Sequence, residues 1–125
     1  MPAIVRNIFE NYVKERFDLN DCIAVNNGTS ALIAPLWSLD LKPGDEVITT
    51  PFTFIATANA IVIAGGKPVF VDIESDTFNI NANLIEAAIT KKTKAIMPVS
   101  LFGQPADMDT IYKIAKEYNL KVIVD

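Results

Sequence analysis

Short apolar runs recur along the chain at roughly even spacing, and polar or small residues follow each of them. The runs are continuous rather than alternating, so they predict strands that are buried on both faces of a sheet. The five predicted strands are CIAV (22–25), EVITT (46–50), PVFVD (68–72), AIMPV (95–99) and KVIV (121–124).

The segments between these runs have helical signals. In DMDTIYKIAKEYN, apolar residues recur at i, i+3, i+4 and i+7, and Asp107 or Asp109 can cap the helix. In NANLIEAAIT, Asn83 stands three residues before Glu86, which is a variant of the capping box. Pro35 lies inside the first crossover and predicts a kinked or shortened helix there.

Strand and helix therefore alternate as β-α-β-α-β-α-β-α-β after an N-terminal helix. This order predicts an α/β fold with a mainly parallel sheet. A length of 125 residues suits one unit, and no linker or internal repeat divides it. A small doubly wound domain of the flavodoxin or receiver type has a similar strand count, but CIAVNN lacks the acidic pair that a receiver needs near its first strand end.

Composition excludes several classes of function. The net charge is -4 with no long basic run, which argues against nucleic acid as a partner. No apolar stretch reaches the roughly 20 residues of a membrane helix, and the amphipathic N-terminus is unlike a signal peptide. A single cysteine, Cys22, indicates a reducing, cytoplasmic location. The absence of histidine removes Ser-His and Cys-His catalysis and the common zinc sites, so no metal site is predicted.

In parallel sheets, ligands bind beyond the carboxyl ends of the strands. One such end carries Gly28 in a turn, followed by Thr29 and Ser30 at a helix start. Backbone N–H groups and the positive helix end can bind an anion there, but Gly-Thr-Ser is also an ordinary helix start. The other strand-end segments are PFTF (51–54), IESD (73–76), SLFGQ (100–104) and Asp125.

Two of these strand ends hold further candidates. Phe52 and Phe54 can cover a planar ligand ring or can simply pack in the core. Asp125 follows a buried strand, where a carboxylate needs a partner such as a helix end, a basic side chain or a cationic ligand nitrogen, unless it is solvated.

Some polar residues at the strand ends have a simpler interpretation. Asp72, Asp76, Thr77 and Asn79 are interpreted mostly as turn formers. Ser100 and Gln104 are placed at the edge of the crevice, with a minor functional role.

Taken together, NNGTSAL, LKPGDEVITTPFTFIATANAI, the segment from GGKPVFVD to FGQPADMD, and LKVIVD resemble the DegT/StrS-type sugar aminotransferases. These are pyridoxal-phosphate enzymes of fold type I. The resemblance extends from about Pro2 to Asp125 and rests on the ordered series of motifs rather than on any single one.

The resemblance implies a role for each crevice residue. Gly28, Thr29 and Ser30 would hold the cofactor phosphate, Phe54 would stack on the pyridine ring, and Asp125 would pair with the protonated ring nitrogen. A cationic ring is an electron sink, which is why the chemistry needs that carboxylate.

The resemblance also implies that residues 1–125 are one incomplete unit, the N-terminal portion of an aminotransferase large domain. Family members continue to a lysine that forms the Schiff base, and no lysine of this chain stands in a matching context. No catalytic residue is therefore assigned within the chain, although pyridoxal 5'-phosphate remains the expected cofactor.

Two functional hypotheses follow. In the first, the chain belongs to an aminotransferase that uses an amino-acid donor and a nucleotide-linked keto-sugar in surface polysaccharide or amino-sugar biosynthesis, in a homo-oligomer. In the second, it is an inactive fragment or a small α/β interaction module that self-associates or complements another chain. An exposed sheet edge and apolar faces would favour such association.

Overall fold

The computed structural model describes residues 2–125 as an arrangement of helices around one parallel sheet. The strands are β1 (Glu46–Thr49), β2 (Lys67–Phe70), β3 (Thr93–Ile96) and β4 (Lys121–Val122). The α-helices are α1 (Ala3–Phe17), α2 (Gly28–Ser38), α3 (Ala56–Ile63), α4 (Ala82–Ala88) and α5 (Met108–Glu117), and a 3-10 turn covers Leu101–Gly103.

The strand order in the sheet is β2-β1-β3-β4, and all pairs are parallel. Backbone pairing continues beyond the short β4: the N–H of Asp125 donates to Pro98 O at 2.9 Å, and the N–H of Ser100 donates to Asp125 O at 2.8 Å. The last strand thus carries Asp125 to the same edge as the residues that follow β3. The predicted α/β fold with a parallel sheet is confirmed.

Side chains alternate across the sheet and build a core on each face. Ile48 and Ile96 point to the face covered by α4 and α5. Val47, Ala95 and Met97 point to the opposite face, which α2 and α3 cover. This is the expected result for central parallel strands with helices on both sides.

The prediction of a strand at 22–25 is wrong. Within residues 2–125, this segment pairs with no strand, and its one hydrogen bond to the rest of the fold joins the Ala24 N–H to a carboxylate oxygen of Glu10 at 2.8 Å. Ile23 is 77% exposed as a result. An apolar run indicates a tendency to be buried, but a strand also needs a neighbouring backbone to satisfy its polar groups.

Burial on both faces is also less general than predicted. All four residues of β1 are buried, and β3 is buried except at Lys94. The edge strand β2 has exposed ends and half-buried central residues. Only the two central strands of the sheet match the expectation.

The helix ends agree with the sequence in part. Asp107 caps α5, since its carboxylate accepts the Thr110 N–H at 3.2 Å. The predicted cap at Asn83 is wrong, because the N-cap of α4 is Asn81, two residues earlier, whose side chain accepts the Asn83 N–H at 3.0 Å. Helix α2 continues past Pro35 to Ser38.

An ionic cluster lies at the amino end of β1, away from the carboxyl ends of the strands. Glu46 is buried, and its carboxylate accepts the Thr90 hydroxyl at 2.6 Å and contacts the Lys67 ammonium at 3.2 Å. The Thr90 hydrogen bond lowers the pKa of Glu46; burial opposes this shift, and Lys67 adds to it. Glu46 therefore joins β1 to β2 and to the turn before β3.

Across the described residues, no helix has both the length and the apolarity that crossing a membrane requires.

Candidate functional site

A cavity of about 480 Å³ opens at the carboxyl ends of β1, β3 and β4. This volume is within the range of small-molecule sites, and the position is the one where parallel sheets bind ligands. The lining residues come from four separate segments: Gly28, Thr29 and Leu32; Thr53, Phe54, Ala56 and Thr57; Val99, Ser100, Leu101 and Phe102; and Asp125.

The start of α2 forms one wall of the cavity. Asn27 is the N-cap and accepts the Ser30 N–H at 2.8 Å, so that donor is already satisfied. Within residues 2–125, the N–H groups of Gly28 and Thr29 have no acceptor, as expected for the first turn of a helix. A Cβ atom added at Gly28 would meet no atom within 4 Å and would project into open space. The wall thus presents free N–H groups, which can donate hydrogen bonds to an anion, beside an open space.

The family resemblance places Ser30 in the phosphate site with Gly28 and Thr29, but the Ser30 side chain lies away from the cavity. Its hydroxyl donates to the Asn26 side chain at 3.0 Å, and it is not among the lining residues of the cavity. Its contacts serve the helix start rather than the open space.

The two phenylalanines of PFTF separate into two roles. Phe54 lines the cavity and is 75% exposed, so its ring is available to a planar ligand. Phe52 instead packs on Phe78 with ring centroids 5.8 Å apart. Local pattern alone did not distinguish these two residues, whereas the family resemblance selected Phe54.

Asp125 lies at the edge of the cavity with its carboxylate held on one side. The Thr57 hydroxyl donates to Asp125 Oδ2 at 2.5 Å, and the Thr53 hydroxyl lies 2.9 Å from that of Thr57. Among the described residues, Oδ1 of Asp125 has no hydrogen-bond partner. A carboxylate in this state can pair with a cationic group of a ligand.

Loop 100–105 forms the remaining wall, and Asn79 fixes its shape. The Asn79 side chain is almost completely buried, accepts the Leu101 N–H and donates to the carbonyl oxygens of Gln104 and Pro105. The loop presents Phe102 in a left-handed conformation, with φ of 54° and 90% exposure. The sequence predicts only a turn role for Asn79 and gives no indication of Phe102.

The other strand ends are distributed unequally. Ser100 lines the cavity, whereas Gln104 and the segment 73–76 do not. Thr53 and Thr57 were missed as site residues. Their spacing of four positions, at the start of a helix that follows a strand end, is the signal that could have selected them.

The arrangement suits a flat ligand with an anionic group at one end and a cationic group elsewhere, because donors, an aromatic ring and a carboxylate border one cavity. No lysine is among its lining residues within 2–125. In the same part of the chain, no group of three or more Cys, Asp and Glu residues is placed to hold a metal ion.

Residues 5–125 match the model of the DegT/DnrJ/EryC1/StrS aminotransferase family, and the chain belongs to that family. Among curated relatives, UDP-2-acetamido-2-deoxy-3-oxo-D-glucuronate aminotransferase of Pseudomonas aeruginosa is 53% identical over 104 residues, covering 83% of this chain and 29% of the relative. GDP-perosamine synthase of Caulobacter vibrioides is 47% identical over 117 residues, covering 94% of this chain and 32% of the relative.

Solved structures show the same fold. NtdA of Bacillus subtilis, crystallised with bound cofactor PMP, superimposes with a TM-score of 0.91 at 44% identity, covering 94% of this chain and 27% of that one. An aminotransferase of Psychrobacter cryohalolentis gives a TM-score of 0.92 at 46% identity, with coverages of 96% and 30%. The chain thus spans about a third or less of the length of these relatives.

Proposed function

We propose that this chain forms the cofactor-binding part of a pyridoxal-phosphate-dependent aminotransferase that acts on nucleotide-linked keto-sugars. The observation that carries the proposal is the convergence of the α2 start, Phe54 and Asp125 on one cavity. Membership of the aminotransferase family and the sugar substrates in the names of its relatives support it. Surface polysaccharide or amino-sugar biosynthesis is the corresponding pathway class.

Each residue of the chain has a task in this proposal. The N–H groups of Gly28 and Thr29, with the Thr29 hydroxyl, bind the cofactor phosphate, and Ser30 supports the same turn. Phe54 covers one face of the ring. Asp125 holds a proton on the ring nitrogen through its opposite charge. When bound, the cofactor supplies a cationic ring that withdraws electrons from the substrate carbon.

The residues fit that cofactor, since a phosphate, a planar ring and a cationic nitrogen match the donors, the aromatic face and the carboxylate. The amino-transfer step also needs an amine base. Because no lysine borders the cavity within residues 2–125, we propose that the lysine comes from polypeptide outside this unit, either in the same protein or in a second subunit. Residues 1–125 are then one portion of a large domain, and the cytoplasm is its location.

Binding of pyridoxamine 5'-phosphate, measured by isothermal titration calorimetry on the protein as its gene encodes it, tests the site. Asp125→Asn should weaken binding of both pyridoxamine 5'-phosphate and pyridoxamine by tenfold or more, because one side of the charge pair is lost (about 1.4 kcal/mol per tenfold). Gly28→Ala should weaken only the phosphorylated ligand. Asp76→Asn, a strand-end acid that does not line the cavity, is the matched control.

Equal affinities in all four proteins would contradict the site assignment. The activity is tested separately, by incubating the same protein with cofactor, glutamate and a nucleotide-linked keto-sugar. Mass spectrometry should detect replacement of the keto oxygen by an amino group. The intact mass of the gene product tests the proposal that residues 1–125 are one portion of a longer protein. A mass above 13.7 kDa supports that proposal.

We also propose that the protein acts as a homo-oligomer. Helix α1 has no buried residue, and its apolar side chains Ile4, Ile8, Phe9 and Tyr12 are more than half exposed. Covering such a surface removes apolar area from water. The alternative, an interaction module without activity, shares this surface, and the calorimetric and mass-spectrometric tests distinguish the two.

A further inference from the structure

Two threonine hydroxyls connect the wall of the cavity to Asp125. The Thr57 hydroxyl donates its proton to Asp125 Oδ2 at 2.5 Å. It has no second proton, so the 2.9 Å contact between the hydroxyls of Thr53 and Thr57 must be donated by Thr53. The hydrogen bonds therefore run in one direction, from Thr53 to Thr57 to the carboxylate.

The environment of Thr57 shows that this contact is not an incidental one on the surface. Thr57 is 1% exposed and lies in the first turn of α3. Threonine hydroxyls in helices often bond to a carbonyl oxygen one turn earlier. Here the hydroxyl instead reaches an acid that is 68 positions away in the sequence. A hydrogen bond to a carboxylate is stronger than one between neutral groups, so this contact fixes the acid effectively.

The geometry also makes the two carboxylate oxygens different. Oδ2 is bonded to Thr57, whereas Oδ1 has no partner among residues 2–125. The backbone of Asp125 is fixed by Pro98 and Ser100, so the remaining freedom is rotation of the side chain. The Thr57 bond restricts that rotation.

We propose that Thr57 is a positioning residue for Asp125, and that Thr53 orients Thr57 in turn. Thr57 holds Oδ2, which leaves Oδ1, unpaired among residues 2–125, to meet a cationic group in the cavity. Thr53 and Asp125 both line the cavity, so a ligand bound there lies beside both ends of this hydrogen-bonded series. The identity of the cationic group rests on the proposed function, whereas the positioning itself does not.

The test compares four single variants and one double variant of the full protein. Thr57→Val removes the hydroxyl but keeps the shape, and Thr57→Ser keeps the hydroxyl. Thr49→Val is the matched control, because Thr49 is equally buried but its hydroxyl bonds the Met97 carbonyl oxygen at 2.8 Å and does not touch Asp125. Asp125→Asn provides the second arm of a double-mutant cycle.

The first readout is the dissociation constant for pyridoxamine 5'-phosphate. Thr57→Val should raise this dissociation constant about tenfold, since an unrestrained carboxylate binds a cation less well. Thr57→Ser should keep the dissociation constant of the wild type. In the Asp125→Asn background, Thr57→Val should have little further effect. Thr49→Val should lower the midpoint of thermal unfolding without changing the dissociation constant. An equal rise in Thr57→Val and Thr49→Val would overturn the proposal, because a general loss of packing explains it.

The second readout needs no ligand and separates this proposal from the proposed function. Three-bond couplings to the β-protons of Asp125, measured by NMR, report whether one side-chain rotamer dominates. One rotamer is expected in the wild type, Thr57→Ser and Thr49→Val, and averaged couplings are expected in Thr57→Val. Unchanged couplings in Thr57→Val would overturn the proposal even if the cofactor binds. If the cofactor does not bind, averaged couplings still support the positioning role, and the proposed function alone fails.

Discussion

The backbone N–H of Leu101 donates to Oδ1 of Asn79 at 3.1 Å, which joins the loop after β3 to the turn after β2. The same side chain donates to two carbonyl oxygens further along that loop. One buried amide thus uses both of its ends to hold a wall of the cavity. Its hydrogen bonds keep Phe102 in a conformation that a residue of this size rarely adopts.

We expect Asn79→Ala to lower the free energy of unfolding by about 2–4 kcal/mol, because buried groups of the loop lose their partners. Urea unfolding followed by circular dichroism measures this change. The control is Asn83→Ala, since Asn83 is exposed and its side chain makes no hydrogen bond within residues 2–125. Similar losses in the two variants would show that Asn79 is not special.

Glu46 predicts how stability depends on pH. Its pKa is lowered in the folded state, chiefly by the Thr90 hydrogen bond. Its contribution to stability is therefore complete above the unfolded pKa and is lost as pH falls through the folded pKa. Glu46→Gln should reduce the loss of stability in acid, measured by urea unfolding between neutral pH and pH 3.

Part of the acid dependence should remain in Glu46→Gln. The Thr110 hydrogen bonds lower the pKa of Asp107 as well, so the same sign applies to it. Asp40→Asn is the control, because the exposed pair of Asp40 and Lys42 contributes little. An acid limb that is identical in Glu46→Gln and the wild type would contradict the prediction.

Substitution by alanine should lower the stability of the fold at Gly66 but not at Gly28. A Cβ atom at Gly66 would lie 2.9 Å from a Leu41 side-chain carbon and 3.2 Å from one of Ile61. Gly66→Ala should therefore destabilise the fold by about 1–3 kcal/mol. Gly28→Ala has free space and should change stability by less than about 0.5 kcal/mol.

Thermal unfolding and calorimetry with pyridoxamine 5'-phosphate together check this pair. Gly66→Ala should keep its affinity at temperatures where it is folded, while Gly28→Ala should lose affinity and keep its melting temperature. A loss of stability in Gly28→Ala would show that its methyl group is not accommodated as the free space suggests.

Helix α1 predicts self-association. Ile4, Ile8 and Tyr12 are spaced at i, i+4 and i+8, lie on one face and are each more than 60% exposed. Ile8→Glu should weaken association at least tenfold in analytical ultracentrifugation, because it places a charge within the apolar face. Arg6→Gln changes the net charge by the same amount on the opposite face and should not. A wild-type protein that is monomeric at micromolar concentration would refute this prediction.

The sequence was informative wherever a residue's environment follows from local order. Phe54 and Asp125 follow strand ends, and parallel topology brings strand ends together. Gly28 and Thr29 reach the same cavity as the start of α2, although the strand predicted before them does not form. Thr57 and Asn79 could not be assigned in this way. Their roles depend on contacts 68 and 22 or more positions away, which no local pattern encodes.

The failed strand at 22–25 has a related cause. Apolar character is local, but a strand is defined by pairing with a second segment. The same limit explains β2, whose apolar centre lies at the edge of the sheet and is only half buried. Burial of an apolar run is set by its neighbours in the sheet.

The order β2-β1-β3-β4 also determines how the sheet can be assembled during synthesis. The ribosome delivers β1 first and β2 next, and these two strands pair directly. Strand β3 then adds to the free side of β1, and β4 adds to the outside of β3, so no strand has to enter between two that are already joined. Of these four strands, the one that leads to Asp125 is added after the other three. A nascent chain that has released β3 therefore already contains the segment of Thr53 and Thr57 beside a paired strand, and the acid joins them only when β4 adds to β3.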